Sequence, residues 1–205
     1  MNATTGIEHA LRIALAANVA LHARWNTVRW KFQKFGPAIG NQVNGDIATD
    51  LLLRQMEAEV LERVTQRPAD FSTIHAESFL LHLTQYWLLN VYEVVRSSCQ
   101  QAKRLDIPHE KLAALRDRLA LVRIPIAKAE IAQANRLKPT IELVRQNAAE
   151  DEEPILYAAD GSYIVPREMC GLTGSLAWWT IDLKSDDMKL ISRRELSDET
   201  LAVFD

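Results

Sequence analysis

The stretch from His75 to Arg104 constrains the fold more than any other. Between Phe79 and Val95 the residues Phe79, Leu80, Leu81, Leu83, Tyr86, Trp87, Leu88, Leu89, Val91, Tyr92, Val94 and Val95 are apolar. A helix apolar around most of its circumference is buried on most of it, so this segment predicts the central helix of a bundle. Its polar residues, His82, Gln85, Asn90, Glu93 and Arg96 or Ser97, recur at steps of three or four and read as one stripe. The apolar window is shorter than the ~20 residues that a membrane span needs, and polar residues interrupt it, so no span is expected.

The flanking segments read as further helices. Ile7, Leu11, Leu15, Val19, Trp25, Val28 and Phe32 keep a helical step from about Thr5 to Gly36-Pro37. Within that run Val28-Arg29-Trp30-Lys31-Phe32 also alternates like a strand; the helical face shared by Trp25, Val28, Phe32 and Phe35 favours helix. Gly36 to Gly45 reads as a loop, and a second helix is expected from Asp46 to Arg67, ended by Pro68. Ser72 or Thr73 is the expected N-cap of the central helix. A fourth helix is expected from His109 to about Asn135, kinked or broken at Pro125, and a short one over Thr140–Ala148.

The period then changes. Glu150-Asp151-Glu152-Glu153 marks an acidic boundary. Ile155-Leu156-Tyr157 and Tyr163-Ile164-Val165 flank Asp160-Gly161 as one expected hairpin. Trp178–Leu183 and Met188–Ile191 flank a second. Ser192-Arg193-Arg194-Glu195 has the form of a capping box opening a terminal helix. The expected fold is therefore mainly α: a bundle of four to five helices over residues 1–149, with a small antiparallel β appendage at 150–205 packed on it.

Charge and cysteine content narrow the function classes. The net charge of −3 gives no global case for nucleic acid, but the distribution is uneven. Residues 1–34 carry five basic residues against one acid, a net +4; residues 150–205 carry five against thirteen, a net −8. The two ends are expected either to attract each other, within a chain or across a dimer, or to leave a basic surface for an anionic partner. Cys99 and Cys170 are too few for a disulfide framework and fit a reducing compartment. With no secretion signal at the start, a cytoplasmic location is expected. The five histidines lack metal-ligand spacing, and Glu57, Glu59 and Glu62 have no Glu-x-x-His unit beside them. No phosphate loop or dinucleotide fingerprint occurs, so neither metal nor cofactor is expected.

Two stretches carry candidate chemistry. In Arg24-Trp25-Asn26-Thr27-Val28-Arg29-Trp30-Lys31-Phe32-Gln33-Lys34-Phe35, cations alternate with aromatics and no acid intervenes. Single-stranded RNA is held by such stacking and cationic contacts, with Arg24, Arg29, Trp30, Lys31 and Lys34 as the binding residues. The plainer alternative is that the aromatics are core or dimer interface and the cations reach outward. Glu93 is the second candidate. If buried it needs a cation, and Arg96 or Arg123 is available; a structural ion pair or a wet helix face is the plainer reading.

Tyr86 to Arg96, followed by Leu121-Val122-Arg123-Ile124-Pro125-Ile126-Ala127-Lys128-Ala129-Glu130, resembles the paired core helices of the HEPN superfamily. The likeness runs over about residues 82–131, within a core of about 71–135. Those small helical bundles occur in toxin–antitoxin, abortive-infection and RNA-processing systems. Active members place an arginine, often followed by asparagine, four to six residues before a histidine; two such pairs meet across a homodimer and cleave RNA without metal. The resemblance implies that Arg123 stands for the family arginine and that Glu93 and Arg96 stand for the polar pair of the earlier helix. Ile124 replaces the usual polar residue, and Lys128 stands where the histidine belongs. Imidazole exchanges protons near neutral pH, whereas lysine does so only when strongly desolvated. Lysine can still stabilise phosphorane charge. Arg104 and His109 have similar spacing but straddle the break at Pro108.

The resulting expectation is a non-catalytic, HEPN-like homodimer that binds RNA or a protein partner, with Asn90 and Arg96 among the binding residues. A metal-independent ribonuclease using Arg123, Lys128 and Glu93 is the first alternative. A helical interaction scaffold unrelated to HEPN is the second.

Overall fold

The N-terminal run makes two helices where the sequence predicts one: α1 (Ala3–Ala17) and α2 (Val19–Gln33). They part at Asn18 (φ −128°, ψ 40°), whose side-chain amide donates to the Ala14 carbonyl at 2.9 Å. Asparagine competes in this way for backbone partners, and one such residue suffices to interrupt a helix. α1 also differs from the expected core helix. Ala14 is its buried residue, whereas Ile7, Ile13 and Leu15 are exposed. The computed structural model describes residues 2–66, 74–137, 140–144 and 153–205, with side chains at all of these except 74–77. The expected end of the second helix at Arg67-Pro68, the cap at Ser72 or Thr73, and most of the acidic boundary lie outside the described residues.

α2 is helical through residues 27–33, so the strand alternative is set aside. Val28 and Phe32, one turn apart, are buried, while Trp30 turns outward and is 58% exposed. The expected loop at 36–45 is instead the start of α3 (Pro37–Gln66). Pro37 opens that helix rather than stopping one, because the first helical residue needs no N–H donor and its φ is already set. Gly40 lies against α2, where a Cβ would come within 3.0 Å of the Gln33 Cβ. Close approach of two helices is the reason for glycine there.

α4 (Ile74–Arg104) is the expected central helix, packed between α3 and α5 (Glu110–Lys128). Leu80, Trp87, Leu88, Val91, Val94 and Val95 are buried. Its apolar surface is not buried throughout: Phe79 and Tyr86, two turns apart, are exposed with His82 between them. α5 ends at Lys128, one turn after Pro125, at Ala129 in the left-handed region (φ 51°). The helix expected to reach Asn135 is therefore cut short, and a single turn, α6 (Ala134–Leu137), follows.

Two sequence expectations for the next segment are corrected. Glu142–Leu143 form strand β1, not helix, and pair antiparallel with β2 (Ile155–Leu156); residues 145–148 of the expected helix lie outside the described residues. β2 thus pairs backward in the chain rather than with Tyr163–Val165. The Asp160-Gly161 turn does form, with Ser162 N–H on the Asp160 carboxylate and Gly161 at φ 78°. Yet Tyr163 donates to the Ala129 carbonyl, so the backbone after the turn is committed to the end of α5. The second hairpin is as expected. β3 (Arg167–Met169), β4 (Leu176–Asp182) and β5 (Asp187–Ser192) form an antiparallel sheet, with Asp182 opposite Asp187 at the turn. Trp178 points into the core and Trp179 away from it, as strand alternation requires.

α7 (Arg193–Ala202) begins with the expected capping box: Ser192 Oγ accepts from Glu195 N–H and the Glu195 carboxylate from Ser192 N–H. Its first residue makes a fully buried ionic contact. Arg193 is fully buried. Its Nε and Nη2 donate to the two oxygens of Glu57 at 2.6 and 2.7 Å, and Nη1 donates to Asp50. Its guanidinium lies over the Trp87 ring, 5.3 Å from the centroid. Asp50 also accepts from Trp25 Nε1 at 2.8 Å, Ser197 Oγ at 2.7 Å and Arg54 Nε at 3.1 Å, and Arg194 adds a second cation to Glu57. Burial pushes the Asp50 carboxyl up, but Arg193, Arg54, Trp25 and Ser197 outweigh it and hold the group below the usual carboxylate range. Beside this cluster Gly174 (φ 69°) sits against α3, where a Cβ would fall 2.2 Å from the Glu57 carbonyl oxygen.

Removing one partner of a buried ionic cluster leaves charge uncompensated and typically costs about 3–5 kcal/mol. Arg193→Leu should therefore destabilise the protein by about that amount in urea unfolding, more than Arg194→Leu at the partly exposed neighbour. A loss under about 1 kcal/mol for Arg193→Leu would show that the cluster does not fix α7.

Candidate functional site

The polar stripe of α4 divides between two neighbours. Glu93 turns toward α5 and Asn90 toward α3. Glu93 accepts from Arg96 Nε at 2.7 Å and lies 3.7 Å from Arg123 Nη2. The Arg123 guanidinium covers Tyr92, 5.0 Å from the ring centroid, and its Nε is buried without a hydrogen-bond partner among the described residues. All three charged side chains are partly exposed, so the cluster is reachable from solvent. Lys128 is exposed at the last residue of α5. Five residues on a helix turn the side chain by about 140° relative to Arg123. The two therefore face different directions from one chain.

On the α3 side Asp46 is buried opposite Asn90. Burial pushes its carboxyl up to about 8; the Asn90 hydrogen bond pulls the other way, and nearby Asp50 adds repulsion. Its Oδ2 has no hydrogen-bond partner among the described residues, and the same holds for the buried Thr84 Oγ1 and Trp87 Nε1 on α4. Sequence reading placed Asn90 in a binding stripe and missed Asp46. The signal was thin: one acid in a helix whose other face is also charged.

The basic–aromatic stretch of α2 divides as well. Arg29 reaches Asn44 at 2.8 Å, and its guanidinium lies 4.8 Å from the centroid of exposed Trp30. Arg24 instead pairs with Asp205 at 3.0 Å, and Lys31 donates to the Phe204 carbonyl at 3.3 Å, near the same carboxylate. The attraction between the two chain ends is thus met inside one chain. Lys34 is exposed and makes no ion pair among the described residues. Both cysteines are free; Cys99 is buried, and burial pushes its thiol up. Among the described residues no helix is long and apolar enough to cross a membrane.

These features define a mainly helical bundle carrying a docked antiparallel sheet. No protein-family model, curated protein or solved structure matches the chain.

Asp46 gives a pH dependence of definite sign. Between about pH 4 and pH 8 the unfolded chain has lost this proton while the folded chain keeps it, so stability falls as pH rises, by about 1.4 kcal/mol per unit for this group. Asp46→Asn removes that loss. Denaturation midpoints should show the variant more stable than the parent at pH 8, with the gap closing toward pH 4. A gap that does not change with pH counts against a protonated Asp46.

Proposed function

We propose that the protein is a non-catalytic, HEPN-like helical protein that binds single-stranded RNA on the outward face of α2, in the toxin–antitoxin or defence setting that the resemblance implies, and that it acts as a homodimer. The carrying observation is Trp30: an indole 58% exposed, with the Arg29 guanidinium on one side of its ring. An exposed ring offers a stacking surface to any base, and a neighbouring cation adds attraction for the backbone. Lys34, four residues on at the C-cap of the same helix, supplies a second charge without an ion-pair partner among the described residues. The net charge of −3 does not oppose this, since what a strand meets is the local surface.

The second reading, a metal-independent ribonuclease, is favoured by one observation, the approach of Glu93 to Arg123. Against it stands the proton-transfer position. A lysine serves as a base only when burial removes it from water, and Lys128 is exposed.

Affinity for a single-stranded RNA, measured against salt, tests the binding reading. Contact with two or three phosphates gives a log–log slope of about −1.5 to −2. Loss of one stacked base in Trp30→Ala costs about 1–3 kcal/mol, and Arg29→Glu should weaken binding at least as much. A slope near zero, or unchanged affinity in both variants, would sink it. Incubation with total RNA in EDTA, beside Arg123→Ala, tests the nuclease: cleavage by the parent alone establishes it, and cleavage by neither protein removes it.

A further inference from the structure

Two of the α2 cations that the sequence offers to RNA are held by an acid of the same chain. Arg24 and Lys31, seven residues apart, fall within about 20° of each other around the helix axis. Arg24 Nη2 donates to the Asp205 carboxylate at 3.0 Å, and Lys31 Nζ lies 4.0 Å from the other oxygen of that group. Lys31 also donates to the Phe204 carbonyl at 3.3 Å and sits 5.9 Å from the Phe204 ring centroid. This contact borders the outward face that carries Trp30. Lys34 stands between them, about 40° around the axis from Trp30 and about 60° from Lys31.

The acid is held in place by the core. Val203 is buried, and the Phe204 ring meets Phe32 edge-on at 4.9 Å and stacks on Phe35 at 6.2 Å. Asp205 N–H donates to the Ala202 carbonyl at 3.0 Å, and Lys111 on α5 donates to a main-chain oxygen of Asp205. An ordinary surface ion pair loses much of its gain in ordering two free side chains. Here the backbone that carries the acid is ordered beforehand. The Asp205 side chain is nevertheless 59% exposed and that of Arg24 48%, so a competing anion can reach the pair.

We propose that the segment 203–205 is an intramolecular competitor for the RNA face of α2. The Asp205 carboxylate occupies the place of an RNA phosphate on Arg24 and Lys31, and a strand must displace it to engage them. This rests on the RNA-binding reading. RNA that meets only Arg29, Trp30 and Lys34 leaves the segment undisturbed. A strand that also takes Arg24 and Lys31 breaks an ionic contact to do so, and the chain thereby holds its own face below full affinity. By linkage, RNA on those two cations weakens the Asp205 contact as much as the contact weakens RNA.

Asp205→Asn removes the competing charge and keeps the Phe204 anchor. Affinity of the full chain for a labelled oligouridylate, measured against salt, tests it beside the parent. One further phosphate contact steepens the log–log slope by about 0.7 and tightens binding about three- to tenfold near 50 mM salt, a gain that closes toward 1 M. Asp160→Asn is the control. It makes the same change in net charge in a turn beside Lys128, at the opposite end of α5 from Lys111 and roughly 25 Å away from it. Screening over that distance should leave its affinity and slope at the parent's values. Equal binding by the parent and a folded Asp205→Asn overturns the competitor and leaves the RNA reading standing. An equal gain from Asp160→Asn also overturns it, since overall charge then explains both. Binding by Asp205→Asn and not by the parent supports it; binding by neither removes the competitor and the RNA reading together.

Discussion

Arg193 is a full positive charge with no access to water, and the arrangement around it follows from satisfying that charge. Its two carboxylate partners, Asp50 and Glu57, are two turns apart on one face of α3. A guanidinium forks across both only when α7 begins directly over that face. The register is therefore fixed by direction as well as by charge. Such a cluster does not promise more net stability than an apolar core of equal volume would give. What it contributes is position: alternative placements of α7 strip Glu57 of both its cations, leave Asp50 with Trp25 and Arg54 alone, and leave the Arg193 guanidinium buried without a carboxylate.

The rest of the C-terminal unit hangs from that placement. Ser192, at the end of β5, is also the N-cap of α7, so fixing the helix fixes the hairpin strand that leads into it. The hairpin turn then brings Lys184 to Asp117 on α5 at 2.9 Å, and α7 brings Glu199 to Arg118 at 2.7 Å. At its far end α7 delivers Phe204 against Phe32 and Phe35 and Asp205 beside Arg24. A contact at the start of the last helix thus decides which cations of α2 are occupied and which remain open.

The sequence showed what depends on neighbouring residues and hid what depends on distant ones. The central helix, the β4–β5 hairpin and the capping box are local patterns, and each forms where expected. Asp50, Arg54 and Glu57 have the spacing of an ordinary solvated face, because the partner that buries them lies 136 to 143 residues away. One local clue existed. Two arginines at the first two positions of a helix oppose its dipole, which makes sense only where carboxylates await them. Pro37 was misread because proline both ends and begins helices, and choosing between those roles needs the packing of Gly40 on Gln33. Trp30 stood among the candidate binding residues, outside the helical face that Trp25, Val28, Phe32 and Phe35 share. Its exposure follows from the helical period, under which residues two apart point in different directions.

The two candidate sites differ in what an incoming phosphate would have to displace. At the α4–α5 cluster Glu93 already lies between two guanidiniums, Arg96 at 2.7 Å and Arg123 at 3.7 Å, and Arg123 also covers Tyr92. A phosphate there would exchange one anion for another and face repulsion from the displaced carboxylate. On α2 the Arg29 guanidinium has a neutral amide and an indole as partners. A phosphate there adds an ionic contact without breaking one. Charge already spent internally cannot be spent again on a ligand, and this argument ranks the α2 face above the α4–α5 cluster for any anionic partner, whatever ancestry the two helices have.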